Sequence, residues 1–393
     1  MLNFELNLPT KILFGRGSQR LIGEAVKPFA KKILLHYGGG SVKKNGIYDD
    51  VTRSLRESGV EFVELGGVAP NPRLSLVYEG IKLVKDENVE LALAVGGGSV
   101  IDSAKAIAMG ALYDGDVWDI YEKGVAVDKT LPVATVLTIP AAGSEASPSS
   151  VITNEKKKLK LGYTNEITRP VVSSVNPEHF FTLPKNQMAN GVSDMMSHIF
   201  ERYFTRTLNT DLTDALCEAT LRVIMRNALI LVENSENYEA WSEIGFCGTV
   251  AHNNSLGLGR EQDWASHGME HELSAIYDVA HGAGLAVVTP GWMRYVCDTD
   301  INSFVRFAVK VMGVDGDFRD PNAIASEGIK RLQEFYKKLG LPSTIMELGI
   351  DDKNLEIMAK KATRASFGEE TPIGNFRKLR WLDVFAIYKS VFQ

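Results

Sequence analysis

Cysteine is scarce in this chain, and long apolar runs are missing. The three cysteines among 393 residues, Cys217, Cys247 and Cys297, lie far apart, form no CxxC pattern and cannot all pair. This excludes a disulfide framework and favours buried thiols in a reducing compartment. No run approaches the ~18 apolar residues that span a bilayer, and the N-terminus lacks the basic-then-apolar layout of a signal peptide. We therefore expect a cytoplasmic protein without a membrane partner.

An excess of basic residues is missing as well. The 43 Lys and Arg residues against 49 Asp and Glu residues give a net charge of −6, so nothing in the composition supports a nucleic acid as a partner. With 45% hydrophobic and 23% charged residues, the composition is ordinary for a soluble globular protein. The chain is too long for one hydrophobic core, which predicts two domains.

Residues 1–184 alternate between strand-like and helix-like stretches. Four runs are apolar or rich in β-branched residues, at residues 31–37, 91–95, 131–139 and 170–175. Helical periodicity covers residues 48–58 and 74–87, and residues 151–163 have the pattern of a hairpin. This alternation predicts an α/β domain that has a parallel sheet with helices on both faces.

After residue 184 the pattern changes to helical periodicity, and β-branched runs become rare. Eight helices are predicted, at residues 187–204, 210–233, 238–254, 264–277, 301–312, 322–339, 355–366 and 381–392. We therefore predict an all-helical domain over residues 185–393, following the α/β domain over residues 1–184.

Two glycine runs directly follow predicted strands. They are Gly38-Gly39-Gly40-Ser41 and Gly96-Gly97-Gly98-Ser99, and neither matches the GxGxxG fingerprint. Glycines between a strand and a helix allow backbone N–H groups to approach a phosphate closely. A tight turn without a ligand would explain one run equally well, but two runs at strand ends favour a nucleotide.

The end of the first of these strands bears on the choice of cofactor. Sites for the unphosphorylated ribose usually place an acid there, but this chain has none between Tyr37 and Asp49. Ser41 and Lys43 could instead receive a 2′-phosphate. The pattern favours NADP(H) over NAD(H).

Acidic and imidazole side chains recur at helical spacing in the second half. Asp194 and His198 are four residues apart, as are His267 and His271, and His281 follows; each pair therefore shares one helix face. A carboxylate and imidazoles that converge from different helices commonly hold a divalent metal. The set offers five candidates for about four positions, and the spacing leaves open whether His267 or His271 is the additional one.

These motifs together resemble the iron-containing (group III) alcohol dehydrogenases. The resemblance is carried by Asn190-Gly-Val-Ser-Asp194-x3-His198, Asp263-Trp-Ala-Ser-His267-x3-His271-Glu, Ala280-His281-Gly and Gly96-Gly-Gly-Ser-x2-Asp102-x2-Lys105. It extends over essentially the whole chain and is nearest to the branch of butanol dehydrogenases and broad-specificity aldehyde reductases. It implies a dehydroquinate-synthase-like dinucleotide-binding domain followed by an all-α metal-binding domain.

The resemblance also implies roles for individual residues. The metal ligands would be Asp194, His198, His267 and His281, and His271 would lie near the nicotinamide and substrate. From its helical spacing from His267 we further predict that His271 is part of a proton path. Cofactor contacts are implied at Gly38, Gly39, Ser41, Asn71, Gly96, Gly97, Gly98, Ser99, Asp102, Thr138, Ser144 and Lys160. The family commonly has threonine where this chain has Ala142, so the contact of that hydroxyl cannot be transferred.

The implied activity is that of a metal-dependent alcohol dehydrogenase or aldehyde reductase. It would move a hydride between NAD(P)(H) and short-to-medium-chain primary alcohols or aldehydes such as butanol and butanal. Iron(II) is the family expectation, although a site of one Asp and three His residues also accepts Zn²⁺, Ni²⁺ or Co²⁺. The alternatives are a lyase of the dehydroquinate synthase superfamily, a glycerol-phosphate-type dehydrogenase and a non-catalytic nucleotide sensor. Residues 3–14 look strand-like and could pair across a two-fold axis, which predicts a homodimer.

Overall fold

The computed structural model describes residues 1–316 and 320–393. They form two compact units. The first comprises Asn7–Leu183 and Glu236–Asn253, and the second comprises Met1–Leu6, Pro184–Ser235 and Asn254–Gln393. Among the described residues, none of the helices combines the length and the apolar character needed to cross a membrane.

Eight strands occur in the part of the chain that the structure describes, and all belong to the first unit. They are β1 (Lys11–Phe14), β2 (Lys32–Tyr37), β3 (Glu61–Leu65), β4 (Leu91–Gly96), β5 (Val133–Leu137), β6 (Ser149–Asn154), β7 (Leu159–Thr164) and β8 (Val172–Val175). Six of them form a parallel sheet in the order β1-β8-β5-β4-β2-β3, and β6 pairs with β7 in the predicted antiparallel hairpin. The predicted α/β domain with a parallel sheet is confirmed.

Helices cover both faces of the sheet because successive residues of a strand point in opposite directions. Ile33 and Leu35 on β2 join a buried core with residues of the helices that follow β1 and β2. Leu34, between them, joins a second core with residues of the helices before and after β4. β3 was not predicted, because Glu61 and Glu64 interrupt its apolar pattern at one end of the sheet.

Fifteen α-helices occur in the described residues. In chain order they are α1 (Ile22–Val26), α2 (Ser41–Lys44), α3 (Ile47–Glu57), α4 (Leu74–Asp86), α5 (Gly98–Leu112), α6 (Val117–Glu122), α7 (Lys185–Tyr203), α8 (Asp211–Glu233), α9 (Tyr238–His252), α10 (Ala265–Tyr277), α11 (His281–Val296), α12 (Ile301–Lys310), α13 (Pro321–Lys338), α14 (Leu355–Ala362) and α15 (Trp381–Ser390). The second unit contains helices and short turns, as predicted for the second half.

The compact units differ from a single cut at residue 184 in two segments. Helix α9 falls in the α/β unit although it follows residue 184, and the first six residues fall in the helical unit. Two contacts tie α9 to the α/β unit: Thr249 donates to Glu145 at 2.6 Å, and the Trp241 ring packs on Phe180 at 5.5 Å between centroids. Burial of one helix against another part of the chain cannot be read from its own periodicity.

Helix α11 was not predicted. Its sequence contains Gly282, Gly284, Pro290 and Gly291, which are residues that normally interrupt a helix. Gly282 is required by packing, because a Cβ atom there would lie 2.0 Å from the backbone oxygen of Asn190 on α7. The close approach of α11 to α7 therefore depends on glycine at this position.

Candidate metal centre and nucleotide site

One buried face of α7 carries three functional side chains. Asp194, His198 and Glu201 lie at positions i, i+4 and i+7 of this helix, and all three are buried. That spacing places them one above another on the same face. α10 contributes His267 to the same region, and His281 is the first residue of α11.

Asp194 Oδ1 is the common point of the predicted ligands. It lies 3.3 Å from Nε2 of His198, 4.0 Å from Nε2 of His267 and 3.8 Å from Nε2 of His281. Donor atoms that are ~2.1 Å from one tetrahedral metal ion lie about 3.4 Å apart. Donor atoms of Asp194, His267 and His281 lie within 4.8 Å of one another, and Nε2 of His198 lies beside the same Asp194 oxygen. The structure thus brings the four predicted ligands together around Asp194 Oδ1.

The hydrogen bonding of these atoms also fits a cation. Among the described residues, the buried atoms Asp194 Oδ1 and His267 Nε2 have no hydrogen-bond partner. An unpaired buried polar atom is unfavourable, and an ion between the donors would satisfy both. Burial and the neighbouring His267 lower the pKa of His198 well below its usual value. His198 is therefore a neutral imidazole, the form that binds metals.

Glu201 fixes the orientation of His267. Its Oε1 lies 2.8 Å from His267 Nδ1 and also accepts the backbone N–H of His267 at 2.9 Å. Its Oε2 accepts the backbone N–H of Trp264 at 2.6 Å, next to the start of α10, where Trp264 has a left-handed φ of 68°. Because an ionised carboxylate only accepts, Nδ1 of His267 carries the proton, which leaves the Nε2 lone pair directed at Asp194.

Glu270 does the same for His281. It is fully buried and accepts from Nδ1 of His281 and from the hydroxyl of Ser274. His267 on α10 and His281 on α11 are therefore each held by a buried carboxylate. In both cases the carboxylate contacts Nδ1, the ring nitrogen that faces away from Asp194.

The fifth candidate, His271, lies beside the four and is partly exposed. Its ring centroid is 5.7 Å from that of His281, and one of its ring nitrogens falls within 4.8 Å of donor atoms of both Glu270 and His281. The set that surrounds Asp194 contains His267 and not His271. Geometry thus separates the two histidines that spacing alone left equivalent.

The predicted nucleotide-binding residues lie mainly at one edge of the sheet in the α/β unit. The register aligns Tyr37 on β2 with Val95 on β4, so the carboxyl ends of these neighbouring strands are level. Gly38, Gly97 and Thr138 directly follow β2, β4 and β5. Carboxyl ends of parallel strands are where open α/β sheets bind ligands.

The turn after β4 has the geometry expected of a phosphate site. Gly96 ends the strand, Gly97 precedes α5, and Gly98 and Ser99 are the first residues of that fifteen-residue helix. The backbone N–H groups of such a helix start and its dipole both favour an anion.

Asp102 and Ser144, two of the predicted cofactor residues, bond to each other. Ser144 donates to Asp102 Oδ1 at 2.6 Å, and the other carboxylate oxygen accepts the backbone N–H of Val151 at 3.0 Å. The fully buried Lys105, one turn further along α5, donates to the backbone oxygens of Ser144 and Ser147 at 2.7 and 2.8 Å. Asp102 and Lys105 thus fasten the segment after β5 to α5.

Asn71 and Lys160 are linked by a series of backbone contacts through the hairpin. Residue 160 pairs with Thr153 across β6 and β7. Thr153 in turn forms a bridge with Arg73 and donates its backbone N–H to Pro72 at 2.8 Å. Asn71, which precedes Pro72, has a left-handed φ of 53°. At the end of β2, Gly38, Gly39 and Ser41 form the turn into α2, and Gly39 and Ser41 are exposed.

Sequence reasoning missed Glu201 and Glu270. A signal for each was present, since Glu201 continues the i, i+4, i+7 spacing from Asp194 and Glu270 lies three residues after His267. Carboxylates are so common on helix surfaces that this spacing does not distinguish a buried partner of a histidine from a solvated residue.

In comparisons with known proteins, two family profiles match this chain, one in each half of the sequence. The profile of the family described as "Iron-containing alcohol dehydrogenase" matches residues 9–177. The profile described as "Fe-containing alcohol dehydrogenase family, C-terminal" matches residues 188–392. The first match covers the α/β sheet, and the second covers all of the predicted metal ligands.

Individual relatives match over nearly the whole chain. NADH-dependent butanol dehydrogenase A of Clostridium acetobutylicum is 43% identical over 99% of this chain and 100% of its own length. An NADPH-dependent aldehyde reductase of Escherichia coli is 34% identical over 92% of this chain and 93% of its own. The crystal structure of an NADH-dependent butanol dehydrogenase A of Thermotoga maritima superposes with a TM-score of 0.96 at 41% identity, covering 100% of this chain and 99% of that one.

Proposed function

Because the chain belongs to the iron-containing alcohol dehydrogenase family, we propose that it interconverts short-to-medium-chain primary alcohols and aldehydes, such as butanol and butanal, at a metal centre. It is an NAD(P)-dependent alcohol dehydrogenase. The substrate is proposed from the butanol dehydrogenases among its relatives. The observation that carries the proposed site is the position of Asp194 Oδ1, within 4.0 Å of three imidazole Nε2 atoms.

We assign Asp194, His198, His267 and His281 as the metal ligands, with Fe²⁺ as the ion and Zn²⁺, Ni²⁺ or Co²⁺ as ions that the same donors accept. When bound, the metal supplies Lewis acidity to the substrate oxygen, and the nicotinamide supplies or accepts the hydride. The protein's part is to orient the donors: Glu201 and Glu270 keep the Nδ1 protons in place, so that both Nε2 lone pairs face Asp194.

The charge around the centre favours a neutral substrate. Asp194, Glu201 and Glu270 outweigh a divalent ion by one negative charge. Two neighbouring cations are already engaged, since Arg202 donates to the backbone oxygen of His198 at 2.6 Å and Lys361 pairs with Glu272 at 2.7 Å. A phosphorylated substrate would meet net repulsion here, which argues against a glycerol-phosphate-type dehydrogenase.

The proposal is tested by the absorbance of NADPH at 340 nm in the presence of butanal. We expect oxidation of NADPH by the enzyme loaded with Fe²⁺, its loss after dialysis against a chelator, and its return on adding the metal. A lyase or a nucleotide sensor on this scaffold would leave the absorbance constant in every sample, and that result would refute the proposal.

We propose that His271 moves the proton of the substrate hydroxyl through a ring nitrogen, since it is partly exposed and adjacent to His281. His271→Ala is expected to lower kcat by ~10- to 100-fold and to change the dependence of kcat on pH. Metal content should stay at the wild-type level, because the variant keeps all four proposed ligands. An unaltered pH profile would exclude this role.

We propose that NADP(H) is favoured over NAD(H). Gly38 and Gly39 place no carboxylate directly after β2, and Ser41 offers a hydroxyl at the first residue of α2. Relatives that use each cofactor exist, such as the NADH-dependent enzyme of C. acetobutylicum and the NADPH-dependent enzyme of E. coli. The kcat/KM for NADPH divided by the kcat/KM for NADH measures this preference directly. A value below one would contradict the proposal.

We also propose a homodimer that works in the cytoplasm. Leu2, Phe4, Leu6 and Leu8 alternate along the N-terminal segment and are each about half exposed, and the following strand β1 ends the order of the parallel sheet. A second copy of the chain would cover such an apolar segment. Light scattering that gives the mass of one chain would exclude the dimer.

Free cysteines suit a reducing compartment, which cell fractionation would test.

A further inference from the structure

Four side chains form a compact polar cluster where β2 leaves the sheet. Glu64, on β3, accepts a hydrogen bond from the hydroxyl of Tyr37 at 2.8 Å and another from the hydroxyl of Tyr48. Lys43, on α2, pairs with the same carboxylate at 3.3 Å. The Lys43 ammonium also lies 4.8 and 4.5 Å from the ring centroids of Tyr37 and Tyr48. We call these four residues the β2 cluster.

The β2 cluster lies where the proposed site would contact the 2′-phosphate of the cofactor. Lys43 lies two residues after Ser41, on the short helix α2 that follows the turn after β2. β2 is the immediate neighbour of β4, whose glycine turn leads into α5. In doubly wound folds, the groups that distinguish the two ribose types lie at the end of the strand next to the phosphate-binding turn.

The β2 cluster shows that Lys43 is already paired with another residue. From the sequence, this lysine is a free cation that could receive the phosphate. In the structure, hydrogen bonds with Tyr37 and Glu64 raise the pKa of Lys43, so its charge is fixed, but a carboxylate already neutralises it. The acid comes from β3, some twenty residues beyond the turn, so inspection of the β2 end alone does not reveal it.

We propose that Glu64 is a specificity-determining residue, which limits the preference for NADPH by holding Lys43 in an internal ion pair beside the ribose site. The inference rests on the proposed nucleotide site at this edge of the sheet. The 2′-phosphate carries a charge of about −1.5 to −2 at neutral pH, so Glu64 acts against it twice. The carboxylate repels the phosphate directly, and it occupies the ammonium that would otherwise attract it. The 2′-hydroxyl of NADH is uncharged and is affected much less.

The test is a double-mutant cycle with Glu64→Gln, Lys43→Met and the double variant. Glutamine keeps an oxygen and an amide for the hydroxyls of Tyr37 and Tyr48 but removes the charge. We measure dissociation constants of NADPH and NADH by the fluorescence of the reduced nicotinamide, which does not depend on turnover. Glu64→Gln is expected to raise the ratio of NADPH affinity to NADH affinity by ~10-fold at low salt. Lys43→Met alone should change that ratio by less than ~3-fold. The double variant should keep only the smaller part of the gain, which comes from removing the direct repulsion between the carboxylate and the phosphate.

Glu61→Gln is the matched control. Glu61 lies on the same strand three residues earlier, so its exposed side chain points to the opposite face of the sheet while its removal changes the net charge equally. A rise in the ratio for Glu61→Gln as large as that for Glu64→Gln would reduce the effect to net charge and overturn the proposal. So would an unchanged ratio in Glu64→Gln, or a gain that persists in full in the double variant. If the wild type binds neither cofactor, the proposed nucleotide site itself is wrong, and that result is distinct from the other three.

Discussion

Asp194→Asn is expected to lower kcat/KM for butanal by at least ~10³-fold, because the proposed mechanism depends on a cation that this carboxylate would hold. Asparagine has nearly the same shape but no charge. It leaves three imidazoles, on α7, α10 and α11, without the anion at 3.3–4.0 Å from each of them. We expect the metal content of the purified variant to fall well below one ion per chain, measured by mass spectrometry of the metal.

Asp278→Asn provides the matched control for this experiment. Asp278 is an exposed acid three residues before His281, in a left-handed conformation that asparagine also accepts. It should keep its metal and its activity within ~2-fold of wild type. Asp194→Asn with full metal content and full activity would show that the four donors do not form the metal site.

The proximity of the proposed metal donors could be predicted in part from the sequence, because helix spacing places side chains on one face whatever the packing. Asp194 and His198 needed only the i, i+4 rule, and the family resemblance assigned His267 and His281. Which of His267 and His271 faces Asp194 is a question of helix rotation about its axis. That rotation is set by packing, including the hydrogen bonds that Glu201 accepts from the backbone N–H groups of Trp264, just before α10, and of His267.

Elements whose own sequence argues against their structure could not be predicted. α11 forms despite three glycines and a proline because tertiary packing outweighs helix propensity, and Gly282 is there to permit contact with Asn190. β3 has glutamates where an apolar run would be expected, and one of them, Glu64, belongs to the β2 cluster. In both cases the residue that weakens the local pattern is one that a distant part of the same unit requires.

Lys43 shows the same limit in the nucleotide site. A charged side chain near a glycine turn predicts a ligand of opposite charge only when no other residue pairs with it. The partner of Lys43 lies on another strand, and only the pairing of β2 with β3 brings it close. The sequence therefore predicts a cation near the glycine turn, but it does not show that this cation is already paired with an acid.

The carboxylates behind the histidines should control metal affinity even though neither belongs to the assigned ligands. Glu270→Gln is expected to weaken binding of Co²⁺ or Zn²⁺ by ~10- to 100-fold. A glutamine amide can donate to Nδ1 of His281, which would move the imidazole proton to Nε2 and block the donor atom. We propose to measure affinity by competition with a chromogenic chelator and to follow the visible spectrum of bound Co²⁺, so that the result does not depend on turnover.

Ser274→Ala separates this effect from a general disturbance of the buried site. Ser274 donates to the same carboxylate and, at 3.3 Å, to the backbone oxygen of Val279. Its removal leaves the carboxylate in place beside His281 and should change metal affinity by less than ~3-fold. Equal affinities in Glu270→Gln and Ser274→Ala would mean that the carboxylate does not set the tautomer. Glu201→Gln should weaken metal binding as well, but it should also lower the melting temperature, because Glu201 accepts the backbone N–H groups of Trp264 and His267. The contrast between the two glutamate variants assigns Glu270 to the imidazole alone and Glu201 to both the imidazole and the start of α10.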